Sequence, residues 1–398
     1  SKLLEDDDIC SVCNAMIDMS QNILYKGFYI VTENPKDKAA LPLPFGRYLV
    51  ADNRKELLEK MKQDDSSYIR AYTKNKSYTG FKVVKNLWVG DYTLGDSFEE
   101  LAKKSEGINR IAVFRADVDN LGDAFVNGFA SKKYGEKYMT ISRTATFSRK
   151  MSMFFKYHIN YILENGEFYI ADKKEEERGK RNATIVYSGG DDVFVVGSWD
   201  DVVGFAVDLQ KSLKEFSQDT LTISGGIGIY PAKYPINNMA RLTGELEECS
   251  KKYRNEVTKQ EKNAITLFTP PQEKSENNSL SLKQDMTFSW KDFENNVVKI
   301  KLNFLKKFFM KTSEKGKAFL YRILELIRGM EDDKINLARL AYTLARLEEA
   351  LKKDKEAGQI KEINFFSSTI YKWIGCERDR KEFIAAIYLY VYLIRDEY

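Results

Sequence analysis

Apolar positions along the chain follow three rhythms. Over residues 1–95 the short runs Gly27–Thr32, Gly46–Ala51, Tyr68–Thr73 and Phe81–Val89 are rich in aromatic and β-branched residues. They predict strands, with one helix over Arg54–Lys62. Residues 96–268 alternate strand-length and helix-length patterns. Ile111–Ala116 is an apolar strand ending in Asp117-Val118-Asp119, Thr140–Leu163 a long helix, and Asp172–Arg181 a charged, solvated loop. Ala183–Ser188 and Val193–Gly197 flank a four-residue turn and predict a hairpin. Trp199–Phe216 is a helix that Asp200 or Asp201 can cap. Leu221–Tyr230 is a strand weakened by three glycines, Asn238–Tyr253 a helix and Ala264–Phe268 a last strand.

Thr269-Pro270-Pro271 opens a polar stretch, 269–285, that reads as a linker. From 286 to 398 the spacing is helical. Leu320, Ile323, Leu324 and Ile327 share one face, as do Leu337, Leu340, Leu344, Leu347 and Leu351, and Phe383, Ile387, Val391 and Ile394. Such stripes predict a helical bundle. The β-α-β-β-α-β order within 96–268 is ferredoxin-like. The fold class is therefore α+β: a ferredoxin-like palm between a small mixed region and a C-terminal bundle. In that arrangement the first strand is expected beside the first hairpin strand. Helices are expected on one sheet face, with the other open to a ligand.

Composition narrows the chemistry. The 398 residues contain one histidine, His158, within a Met- and Phe-rich helical pattern that reads as packing. Histidine-built metal centres are excluded, so acid, base or metal chemistry must rest on carboxylates. The net charge of +4 permits RNA or nucleotide partners without demanding them. No apolar run reaches membrane-spanning length, and the first residues lack the pattern of a signal peptide. A cytoplasmic protein with reduced cysteines is expected.

The topology brings Asp117 and Asp119 beside Asp191 and Asp192. Four converging carboxylates repel unless cations lie between them, and hard cations such as Mg²⁺ take oxygen ligands and share them with phosphates. Gly189 and Gly190 can take positive φ and let a nucleotide approach the backbone. Gly225, Gly226 and Gly228 are expected to leave open floor beside them. Lys251 or Lys252 is expected to reach a triphosphate.

Ile111–Gly122, with its Asp117-Val118-Asp119-Asn120, then Tyr187-Ser188-Gly189-Gly190-Asp191-Asp192-Val193-Phe194 and Lys233-Tyr234-Pro235-Ile236 resemble the large, polymerase-like subunit of type III-A (Csm-type) CRISPR effector complexes. The resemblance covers the chain as the C-terminal part of such a subunit. It implies a palm that converts ATP to cyclic oligoadenylate once target RNA binds the guide-loaded complex. It further implies that Asp191 and Asp192 are catalytic and hold Mg²⁺ or Mn²⁺, with Asp117 and Asp119 as further ligands. Ser188, Gly189, Gly190 and Asn120 would line the nucleotide. Implied partners are guide RNA, target RNA, the guide 5′-end-binding subunit and the small helical subunits.

Departures from the family pattern are expected too. The HD nuclease domain and the first palm are absent from the sequence, which reads as a fragment or as one of two chains. No DNA cleavage is expected of these residues. Of the family's two Cys-x-x-Cys pairs only Cys10-Ser11-Val12-Cys13 is present. Structural zinc wants four ligands, so Cys10 and Cys13 would need two more from elsewhere, or else form a plain turn. Two other readings share the motifs: a diguanylate cyclase, whose hairpin differs at Asp192 and Val193, and a non-catalytic ribonucleoprotein scaffold.

Overall fold

A computed structural model describes residues 10–34, 40–63, 67–80, 82–95, 97–130, 132–133, 135–255, 259–268, 286–309, 316–330, 335–352 and 357–395. The expected linker, 269–285, and Phe81 lie outside them. Two compact units share the chain. One comprises residues 1–93, 129–161 and 187–191, the other 94–128, 162–186 and 192–398.

The first unit opens with helix α1 (Ser11–Tyr25), followed by strands β1 (Phe28–Thr32), β2 (Leu41–Leu43) and β3 (Arg47–Asp52), helix α2 (Arg54–Gln63) and strands β4 (Tyr68–Lys74) and β5 (Val83–Leu87). The sheet order is β2-β3-β1-β4-β5. Phe28 and Ile30 alternate inward from β1 and meet Val50, Leu57, Tyr68 and Ala71 in one core. Helix α1 was not expected from the pattern. Among its described side chains Ala15 and Met19 are buried, whereas Val12, Met16, Ile17 and Ile23 are exposed; Val12, Met16, Met19 and Ile23 nevertheless share one helical face, a stripe that went unread. The Asn160 side chain accepts from the Asp91 and Tyr92 N–H groups and donates to the Val89 carbonyl, tying the chain after β5.

The second unit begins with α3 (Phe98–Lys103), β6 (Ile111–Val118) and α4 (Leu121–Asn127). The long helix expected over Thr140–Leu163 is α5 (Ile141–Met153) and a π-helical turn at Phe154–His158, both in the first unit, followed by α6 (Ile159–Glu164). Then come β7 (Ala183–Gly189), β8 (Asp192–Ser198), α7 (Trp199–Ser217), β9 (Ile223–Tyr230), α8 (Ile236–Lys252), β10 (Ala264–Phe268) and β11 (Thr287–Ser289). The sheet order is β11-β10-β9-β6-β8-β7. Its β9-β6-β8-β7 core is the ferredoxin-like order. The first strand, β6, therefore lies beside β8, the second hairpin strand, and not beside the first as expected. The hairpin has to fold back so that its second strand can pair with β6 antiparallel, Asp117 opposite Asp192.

The expected open face is also absent, because helices cover both faces. Neighbouring side chains on a strand point to opposite sides. Phe114 meets Phe205 of α7 edge-on at 5.9 Å, while Arg115 faces α8, where its guanidinium donates to the Ala240 carbonyl. The glycines of β9 are accordingly filled and not open floor. A Cβ on Gly225 would lie 2.7 Å from the Phe114 ring, and one on Gly226 would lie 2.6 Å from the Glu247 backbone nitrogen. Gly228 is closed by the Tyr230 ring. These residues let α7 and α8 press against the strand.

The charged loop after α6 is not wholly solvated. Arg181 is fully buried, paired with Asp208, and donates to the Phe168 and Asp201 carbonyls. Lys173 is held by Asp200 at 3.1 Å and Asp201 at 2.7 Å. These partners keep Asp200 and Asp201 from capping α7. Ser198 occupies the N-cap position, without a side-chain cap bond. Buried charges survive only when paired in this way.

After β11, a short helix α9 (Trp290–Asp292) runs through a π-helical stretch, Phe293–Leu302, into α10 (Asn303–Phe309). Helices α11 (Gly316–Arg328), α12 (Ile335–Lys352), α13 (Ala357–Gly375) and α14 (Glu377–Ile394) complete the expected bundle. Leu320, Ile323, Leu324, Ile327, Leu340, Leu344, Phe383, Ile387 and Val391 are buried as their spacing predicted. Leu337 is not; it is exposed near the start of α12.

Candidate active site

The hairpin turn is tighter than its sequence suggested. Strands β7 and β8 run to Gly189 and Asp192, leaving Gly190 and Asp191 as the turn. Gly190 takes φ +70° with nothing near its missing Cβ, a conformation glycine enters without steric cost. Gly189 shows no such φ, so only one of the two glycines is used in that way.

The register sets Asp117 opposite Asp192, and the turn adds Asp191. These three residues can each offer one carboxylate oxygen such that all lie within 4.8 Å of one another. Among the described residues this is the one group of three or more Asp, Glu, His or Cys side chains so placed. The donors are all hard oxygens, which suits Mg²⁺ or Mn²⁺ and not a thiolate-seeking metal.

Asp119 is not in that group. It is buried at the end of β6, where it accepts from the Thr222 hydroxyl at 2.7 Å and the Asn263 N–H at 3.0 Å. Burial pushes its carboxyl above the ordinary value. Asn120 follows in the left-handed region, φ 55°, and its amide oxygen accepts from Lys262 at 2.6 Å. Lys262 and Asn263 also have positive φ. Such backbone persists where surrounding contacts hold it.

Lys251 is engaged. It pairs with Asp117 at 2.8 Å and with Glu247 at 2.7 Å, one helical turn back on α8. Burial opposes its charge, but the bonds to Asp117 and Glu247 outweigh that and raise the ammonium above its usual range. Glu247 also meets Arg115 at 3.4 Å. Lys252, the last residue of α8, is exposed. Ser188 donates its hydroxyl to the Phe155 carbonyl, so that oxygen is committed to the protein.

Three residues here were not singled out in the sequence. Arg115 lies between Phe114 and Ala116 in an apolar strand, Glu247 in the run Glu245-Leu246-Glu247-Glu248 of a helix, and Lys262 in a polar loop. Only the fold reveals their partners.

Cys10 and Cys13 have their sulfurs 3.2 Å apart, with Cys10 capping α1. No third donor joins them among the described residues, so this pair alone does not close a tetrahedral zinc site. His158 lies in the π-helical turn, stacked on Tyr161. Burial lowers its pKa, which fits a packing role.

Comparison with known proteins places this geometry. Residues 110–266 match the family model "Cas10/Cmr2, second palm domain", and residues 306–396 match the second helical domain of the Cmr2 subunit of the CRISPR RNA silencing complex. A Mycobacterium tuberculosis protein described as "CRISPR system single-strand-specific deoxyribonuclease Cas10/Csm1 (subtype III-A)" is 37% identical over 99% of this chain. The chain belongs to the Cas10/Csm1 family. The Streptococcus thermophilus member is 38% identical over 98% of the chain. This chain spans 45% and 46% of those two relatives, about half their length.

Solved structures share the fold. A Csm1–Csm4 cassette in complex with cA4 aligns over 96% of this chain and 50% of that one, with TM-score 0.63 and 20% identity. A Csm1–Csm4 subcomplex of the type III-A interference complex aligns over 95% of this chain and 50% of its own, with TM-score 0.61 and 22% identity. No described helix is long and apolar enough to cross a membrane.

Proposed function

We propose that this chain supplies an ATP-converting palm of a type III-A effector complex, which makes cyclic oligoadenylate when target RNA binds. The observation that carries the proposal is the convergence of Asp117, Asp191 and Asp192 at the hairpin turn. Related structures of this fold were solved with one ATP, with pppApApA, with cA3 and with cA4.

In this reading the three aspartates hold Mg²⁺ or Mn²⁺. A bound ion would neutralise triphosphate charge and make a 3′-hydroxyl a better nucleophile. Gly190, without a side chain, lets the nucleotide approach the turn. Ser188 and Gly189 contribute backbone to the same wall. Lys251 lies on the helix that can serve the phosphates. Asn120, steadied by Lys262, lines the nucleotide. Asp119 anchors the end of β6, so that Asp117 keeps its place. A second ATP would be held by a palm outside these residues. Guide RNA, target RNA, a Csm4-type neighbour, a subunit that binds the guide 5′ end and the small helical subunits would complete the complex. DNA cleavage is not assigned to these residues, whose one histidine is packed.

Calorimetric titration of the chain with ATP, with and without Mg²⁺, tests the site. Asp117→Ala should weaken Mg²⁺-dependent ATP binding roughly ten-fold or more, the loss of one charged metal ligand. Unchanged affinity would remove Asp117 from the metal set.

A further inference from the structure

Arg115, Glu247, Lys251 and Asp117 form an unbroken chain of alternating charge between β6 and α8. Arg115 and Asp117 are two residues apart on β6 and so share the sheet face that α8 covers. Arg115 lies 3.4 Å from Glu247, Glu247 lies 2.7 Å from Lys251, and Lys251 lies 2.8 Å from Asp117. Glu247 is buried, with 7% of its surface exposed. The cradle is specific in shape. A Cβ on Gly244 would fall 2.9 Å from the Arg115 guanidinium, and one on Gly226 would collide with the helix at Leu246 and Glu247.

We propose that Lys251 is a displaceable counter-ion of Asp117, which competes with the divalent cation for the same carboxylate. Glu247 is its positioning residue. The inference rests on the metal-site reading of Asp117, Asp191 and Asp192. An ammonium 2.8 Å from Asp117 and a divalent cation on the same carboxylate would repel strongly, so the two cannot both hold it at full strength. Glu247 gives the lysine a second anchor at 2.7 Å, so Lys251 does not leave the site when Asp117 is taken. It swings about Glu247, one turn along the same helix, and its charge becomes free for the phosphates that arrive with the cation. Arg115, 3.4 Å from Glu247 and half-buried beneath α8, holds the Glu247 carboxylate in place from the sheet side. The device couples cation entry to triphosphate capture. Without nucleotide, the lysine discourages the cation from settling; with nucleotide, it gains a new partner.

The sign of the effect is the test. Mn²⁺ binding to the full 398-residue chain, without nucleotide, is read by electron paramagnetic resonance of the free ion. Lys251→Met removes the competitor and should tighten Mn²⁺ about five- to ten-fold, a modest figure because the pair is partly exposed. Lys252→Met removes the same charge from the next residue and should change Mn²⁺ less than about two-fold. In the same Lys251→Met chain, ATP binding with saturating Mn²⁺ should weaken. Glu247→Gln should loosen Mn²⁺ in the wild-type background, since Lys251 then has Asp117 as its remaining carboxylate. It should do so far less in the Lys251→Met background. Lys251→Gln, which keeps polar contacts without the charge, should behave like Lys251→Met if the latter fails to fold.

Equal effects of the Lys251 and Lys252 variants, or unchanged or weaker Mn²⁺ binding in Lys251→Met, would overturn the counter-ion role and leave the metal site standing. If neither wild type nor Lys251→Met binds Mn²⁺ at all, the metal-site reading falls and the counter-ion with it.

Discussion

Asp200 lies in the first turn of α7, almost wholly shut off from solvent beside Asp201 and Lys173. Burial, then the charge of Asp201, pushes its carboxyl up to about 6. An unfolded aspartate titrates near ~3.9. Between these values the folded protein holds a proton that the unfolded chain has lost. The stability this proton provides is full below pH ~4 and disappears as pH rises through about 6. Asp200→Asn cannot ionise, so it should keep that contribution. Its stability should rise relative to wild type between pH 4 and 7, by on the order of 1–3 kcal/mol, and its melting temperature with it. Parallel melting curves across that range would contradict the assignment. The contrast with the site is instructive. Asp117, Asp191 and Asp192 were legible in the sequence because each lies at a strand end or turn, where topology fixes its neighbours. Lys173 and Arg181 were read as a solvated loop, Asp200 and Asp201 as possible caps, and Asp208 was not singled out, since the partners stand some 27 or 28 residues apart. No local pattern records such pairings.

At the scale of elements, the strands and longer helices of the palm followed from periodicity, whereas the short α3 and α4 were not expected, and the residues expected at the turn are there. What was misjudged was which hairpin strand pairs with β6 and how closely the glycine-rich β9 is packed. The glycines read as open floor because a residue without a side chain exposes backbone. In the folded protein they are close-packing positions, and this makes a sharp prediction. Gly226→Ala should force α8 off the sheet, since its Cβ would meet backbone 2.6 Å away. A loss of roughly 1–3 kcal/mol is expected from such overpacking, measured by chemical denaturation. Mn²⁺ and ATP binding should change with it, because Glu247 and Lys251 ride on the displaced helix. Gly190→Ala meets no neighbour and should cost only the strain of positive φ, about 1 kcal/mol. If Gly226→Ala proved as mild as Gly190→Ala, the tight seat of α8 would be wrong. Strand β11 was missed because it has three residues in all, and α1 although Val12, Met16, Met19 and Ile23 share one helical face.

The chain spans 45% of its Mycobacterium tuberculosis relative, so the activity has to be measured in the assembled effector complex. The most direct measurement incubates that complex with labelled ATP, Mg²⁺ and matching target RNA and identifies products by mass spectrometry. The account predicts 3′–5′-linked cyclic adenylates that need the target RNA, and at least about a hundred-fold less product with Asp191→Ala/Asp192→Ala, as for loss of a transition-state charge partner. Undiminished cyclic adenylate from that double variant would contradict it.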